Sequence, residues 1–235
     1  MLPETEADIL QEEVDTNPCS LTPFMKHFRL DSDRTNSAFM NELGLGRIQP
    51  ATGFHVGKSI QVYSDLKRGN REIAWFPAGL SIPQHIEPFL IGRGLEGIIT
   101  LIGDFNERNR ATANQVDAVI NKPATKHSWL ISWRSGDKNP LAVAESGFHL
   151  RSYLPNVIEV TAMIARAIFR QQTVPFASDD PNQLIFVRTS TVIELNSKLA
   201  VAFVPNRAIY FRAFPHDSTD PNLQCSDLIP VTLSR

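Results

Sequence analysis

The sequence predicts a mainly β protein: a single jelly-roll-like β-sandwich with one inserted amphipathic helix, about 157–171, and a small helical N-terminal segment. Three observations carry this expectation. Short stretches of apolar residues alternate with polar ones along much of the chain, one stretch alone changes to helical spacing behind a helix-start signature, and three apolar runs then follow at hairpin spacing. Strand runs broken by a single helix fit a sandwich better than alternating βαβ units. With 42% hydrophobic residues, 235 residues suffice for one sizeable core.

In chain order, residues 1–20 hold Glu4, Glu6, Asp8, Glu12, Glu13 and Asp15 and no basic residue. They are expected to form a solvated acidic arm, with residues 21–235 as one β-rich domain. Within SAFMNELGL, Ser37 to Leu45, apolar residues near helical spacing predict a short helix ending at Gly44 or Gly46. Strands are expected at Ile60 and Val62, at Ile73 and Trp75 after a Gly-Asn turn, and over Ile98 to Ile102 after Gly97. Alternation at Val116, Ala118 and Ile120, and again at Trp129, Ile131 and Trp133, predicts two more. That gives five to seven strands ahead of the helix.

The helix itself is announced by Asn156 as N-cap with Glu159 three residues on, followed by a stripe of Val157, Val160, Ile164, Ala167 and Ile168. Beyond Pro175 and the polar SDDPN loop, the runs LIFVRTSTVIEL, LAVAFV and AIYFRAF, with turns at Asn196 and Pro205-Asn206, predict a three-stranded meander.

Charge and cysteine content narrow the function classes. The 23 basic and 25 acidic residues nearly cancel, so binding to nucleic acid or an anionic membrane needs a local patch. Cys19 and Cys225 are too few and too far apart in sequence for a disulfide framework or a zinc motif. The acidic start MLPETEADILQEE is unlike a signal peptide, and no apolar run approaches the roughly 20 residues of a membrane span. An intracellular protein without a transmembrane segment is expected.

Several partial motifs lack what their chemistry requires. Gly92, Gly94 and Gly97 match G-x-G-x-x-G, but a β-branched run follows where a phosphate-binding helix N-terminus is needed, so a turn before a strand is expected. LIGDFN, Leu101 to Asn106, resembles the GDFN motif of the exonuclease–endonuclease–phosphatase family, and Ser226 to Val231 resembles its closing Ser-Asp-His-x-Pro-Val segment. Leu228 stands at the histidine position, which removes the imidazole that such phosphoryl chemistry uses. His27, His55, His85, His127, His149 and His216 are scattered without ligand spacing, and Ser146 lacks the glycine of a nucleophile elbow. No catalytic residue, metal site or cofactor is therefore predicted. Basic residues gather at Lys67, Arg68 and Arg71, at Arg108 and Arg110, and at Arg166 and Arg170. The first two groups are the candidates for contacting nucleic-acid phosphates, with Trp75 or Phe105 near enough to stack on bases; all three also suit solvated surface.

From Arg71 to Phe203 the chain resembles the thirty-kilodalton superfamily of viral movement proteins. The segment GIITLIGD, Gly97 to Asp104, matches that superfamily's Gly, hydrophobic strand and strand-exit Asp; REIAWFPAGLSIP precedes it, and WLISW, the 157–171 helix and LIFVRTSTVI follow in similar order. The resemblance implies a jelly-roll-related sandwich, cooperative binding of single-stranded nucleic acid, self-association, location at the membrane periphery or cell junction of a host, and no enzymatic activity. Gly97 and Asp104 are its hallmark positions. The competing expectations are a viral structural protein of matrix or coat type and a metal-dependent phosphodiesterase using Asp104 and Asn106.

Overall fold

The computed structural model describes residues 38–45, 71–101, 107–126, 128–133, 154–172, 174, 177–178, 180, 182–194, 197–224 and 229–231. Helix α1 covers 38–42, and strand β1 covers Arg71–Phe76. A π-helical turn, Ile82–Ile86, runs into α2, Glu87–Gly92. Next come β2 (Ile98–Leu101), α3 (Glu107–Ile120), β3 (Ser128–Trp133) and α4 (Val157–Phe169). The chain closes with β4 (Phe186–Glu194), β5 (Ser197–Val204), β6 (Ala208–Pro215), β7 (Leu223–Gln224) and β8 (Ile229–Val231).

These strands form a mixed five-stranded sheet, order β2-β6-β5-β4-β7, and a three-stranded sheet, order β1-β3-β8. The expected meander is present: β4 pairs with β5 and β5 with β6, both antiparallel, through a tight turn in which Asn206 takes φ 58°. Parallel β2 and β7 flank it. In the smaller sheet β1 and β3 are antiparallel, with Trp75 opposite Trp129 and Ile73 opposite Ile131.

Three expectations are corrected. Helix is far more abundant than one inserted segment, since π turn–α2 and α3 join α4. Val116, Ala118 and Ile120 lie in α3, not in a strand. Their period-two spacing is coincidental: Val116 is buried and Thr112, Ala113, Val119 and Ile120 are half-buried, which is one helical face in a 14-residue run free of Gly and Pro. Among the described residues three strands, not five to seven, precede α4; the positions Ile60 and Val62 lie outside the described residues.

The π turn explains why α2 is hidden in the sequence. Pro88 has no N–H to donate and its ring crowds the carbonyl four residues back, so the preceding turn widens. Ile86 N–H reaches the Ser81 carbonyl at 3.3 Å, and Glu87 N–H bonds that of Ile82. Ser81 caps the turn from both sides: its hydroxyl accepts from Gln84 N–H, and its own N–H donates to His85 Nδ1 at 3.0 Å. Ile82, Ile86, Phe89 and Leu90 go into the core. Gly44 after α1 (φ 72°) and Gly94 after α2 (φ 85°) provide left-handed ends, with Leu45 N–H on Met40 O and Leu95 N–H on Leu90 O.

Helix α4 is the centre of the main core. It touches β4 and β5 of the larger sheet, β1 of the smaller one and the π turn, so nearly its whole circumference is covered. Asn156 and Glu159 form the predicted capping box: Asn156 N–H donates to Glu159 Oε2 at 2.7 Å, and Glu159 N–H to Asn156 Oδ1 at 3.0 Å. Val157 N–H is taken by Thr191 Oγ1, from the irregular stretch of β4 where the register shifts between Arg188 and Val192. Arg166, expected on a solvated face, is 2% exposed.

Burial holds the Glu159 carboxyl above the usual carboxylate range, opposed in part by hydrogen bonds from Asn156 and the Ser128 side chain. A raised folded value favours the neutral form. The associated stability is therefore complete below the unfolded value and is lost as pH rises through the folded one. Glu159→Gln keeps an oxygen for Asn156 N–H and removes the titration. The variant is expected to gain on the wild type in urea midpoint as pH rises from mildly acidic to neutral; parallel pH profiles would contradict this origin.

Candidate nucleic-acid interface

The five-stranded sheet has two apolar faces because its central strands alternate between two buried sets. Leu199, Val201 and Phe203 of β5, with Ile209 and Phe211 of β6, face the α4 core. Ala200, Ala202 and Val204, with Ala208, Tyr210 and Phe214, belong to a second cluster with Phe186 and Leu223; Ile99, Leu101 and Leu184 pack against it. The second set forms the face away from α4.

Cations interrupt this second face in register. Arg188 of β4 pairs with Ala200 of β5, which pairs with Arg212 of β6, and strand alternation puts all three side chains on one face. One row further, Lys198 pairs with Phe214. Alanine at 200 and 202 leaves room above β5, and the Phe186 and Phe214 rings meet there at 5.2 Å, edge to face. The Arg212 guanidinium lies 5.0 Å from the Phe214 centroid, while Arg212 itself is exposed and Lys198 half-buried. Side by side are two cations able to meet phosphate and an aromatic pair beneath them.

The connection from β6 to β7 crosses this face. Both strands run parallel to β4, so the chain must return along the sheet from Pro215, opposite Ser197, to Leu223, opposite Phe186. Two turns accomplish it, closed by Ser218 N–H on Pro215 O and Leu223 N–H on Asp220 O. Arg188 holds the crossing segment, its two terminal nitrogens donating to the carbonyls of His216 and Ser218. Asn222 O accepts from Phe186 N–H at 2.7 Å.

Of the sequence-predicted positions, Gly97 is described in full. It has φ 91°, and its carbonyl accepts from Ile209 N–H at 3.1 Å, which starts the β2–β6 pairing. Gly92 ends α2 and Gly94 follows in the turn, so the G-x-G-x-x-G stretch closes a helix and opens a strand. Arg71 starts β1, and Arg108 and Arg110 lie in the first turn of α3; their side chains, with Lys67, Arg68 and Asp104, are outside the described residues. The row of Arg188, Lys198 and Arg212 was missed. These residues are 10 to 24 positions apart, and only the meander's register brings them together; an alternation count that flagged cations on an otherwise apolar strand face would have found Arg212.

Among the described residues no group of three or more His, Cys, Asp or Glu side chains is placed to hold a metal ion, and no helix is long and apolar enough to cross a membrane. The α4 N-terminus offers no anion site either, because Asn156 and Thr191 already take its N–H groups at Glu159 and Val157. Comparison with protein-family models, curated proteins and solved structures finds no match.

Proposed function

We propose that the protein is a noncatalytic, self-associating binder of single-stranded nucleic acid, acting in the manner of the viral movement proteins it resembles, in the host cytoplasm or at a cell junction. On this reading the two sheets belong to a jelly-roll-related architecture. The observation that carries the proposal is the cationic and aromatic row on the outer face of the five-stranded sheet: Arg188, Lys198 and Arg212 around Phe186 and Phe214. Single strands are commonly held on such faces by cations that track the phosphates without sequence preference, and here Arg212 is exposed and Lys198 half-buried above the buried Phe186–Phe214 pair.

The test is a salt series of single-stranded RNA binding by the full chain, with light scattering on the same samples. If Lys198 and Arg212 each neutralise one phosphate, together they contribute about 1.4 to the slope of log affinity against log salt. Lys198→Glu with Arg212→Glu is expected to weaken binding by about tenfold or more and flatten the slope. Binding that is absent at low salt, or unaffected by the double reversal, defeats the proposal. Growth in particle size without RNA, combined with no RNA retention at low salt, would instead favour an assembly protein of matrix or coat type.

A further inference from the structure

We propose that residues 216–222 form an acidic strap that competes with nucleic-acid phosphates for the cationic sheet face, so that the binding surface is self-covered until a strand displaces it. This deepens the nucleic-acid reading and rests on it. Competition follows from what Arg188 does: its forked guanidinium, the group best shaped to take a phosphate, is engaged by the His216 and Ser218 carbonyls of the strap. The strap also brings Asp217 and Asp220 to the side of the sheet that carries Arg188, Lys198 and Arg212. It therefore adds negative charge on the side of the sheet that phosphates would approach.

The strap is attached lightly. None of its seven side chains, His216 to Asn222, is buried, and Pro221 aside none is apolar. Its shape depends on short-range hydrogen bonds: Asp220 Oδ1 accepts from Asn222 N–H at 2.8 Å, and Asp220 N–H donates to Ser218 Oγ at 3.4 Å. Segments with few apolar contacts open at low free-energy cost. Opening would release the two terminal nitrogens of Arg188 from the His216 and Ser218 carbonyls.

Asp220 separates charge from closure. Asp220→Asn removes the charge and keeps an oxygen for Asn222 N–H; Asp220→Ala removes both. With a fluorescent oligouridylate at low salt, Asp220→Ala is expected to bind about fivefold tighter than Asp220→Asn, the factor set by one net hydrogen bond. In the wild type, adding the oligonucleotide should speed amide exchange across 216–222. Equal affinity of the two variants, or wild-type exchange that slows or stays unchanged while RNA binds, overturns the strap and leaves RNA binding standing. If neither the wild type nor a variant that unfolds cooperatively retains RNA, the binding reading fails and the strap with it.

Discussion

Phe39→Ala is expected to lower the unfolding free energy by about 3–5 kcal/mol, the cost of emptying a large buried aromatic site. Phe39 is 0% exposed and is held from two sides, with the Phe89 ring 5.8 Å away at 85° and the Phe169 ring at 5.5 Å. Arg93 sits over both partner rings, 5.2 Å from Phe89 and 5.8 Å from Phe169, and also bonds Glu42 at 3.4 Å. One side chain thus joins α1 to the ends of α2 and α4. A helix as short as 38–42 has no stability of its own, so its order depends on that contact. Urea unfolding measures the total loss, and amide exchange over 38–45 should rise before global unfolding. Phe39→Leu, which fills most of the volume, should lose clearly less. A loss under about 1 kcal/mol for the alanine variant would mean that the ring is not held as described.

Gly97→Ala is expected to cost about 2–3 kcal/mol, mostly from the backbone. At φ 91° an L side chain is strained whatever the space around it. An added Cβ would also stand 3.1 Å from Glu87 Oε1, the atom that accepts from Ile98 N–H at 3.4 Å. The two contributions are separable because a glutamate side chain can move and a φ angle fixed by strand pairing cannot. Glu96 N–H on Arg207 O, at 2.6 Å, and Ile209 N–H on Gly97 O bracket the residue and fix it. Gly97→Ala measured in a Glu87→Ala background should therefore lose nearly as much as in the wild type. Full rescue there would show that crowding, not conformation, makes glycine necessary.

Where local chemistry decides the outcome, the amino-acid sequence is readable. Asn156 and Glu159 lie three apart and each satisfies the other's backbone, so α4 begins where its capping box says. Gly44 and the Pro205-Asn206 pair mark a helix end and a hairpin for equally local reasons. Local signals also mislead where two periods overlap, as over Val116 to Ile120, and where a proline is absorbed by widening a turn, as at Pro88. Arg166 shows the limit from another side: a cation near the end of an amphipathic helix suits solvent until a second sheet covers the remaining face.

By itself, then, the amino-acid sequence determined the terminal meander, the capped helix before it, the short helix at 38–42 and the strands around Ile73, Ile98 and Ile131, because each depends on neighbours within a few residues. The tertiary structure decided which strands flank the meander, that α4 lies against both sheets, and that Arg188, Lys198 and Arg212 share one face, with Arg188 bonded to the crossing segment at His216 and Ser218. Register is the physical reason. A slip of one residue between β4, β5 and β6 would preserve every local propensity and move each cation to the opposite side of its neighbour, so only the packing of two apolar faces fixes the row.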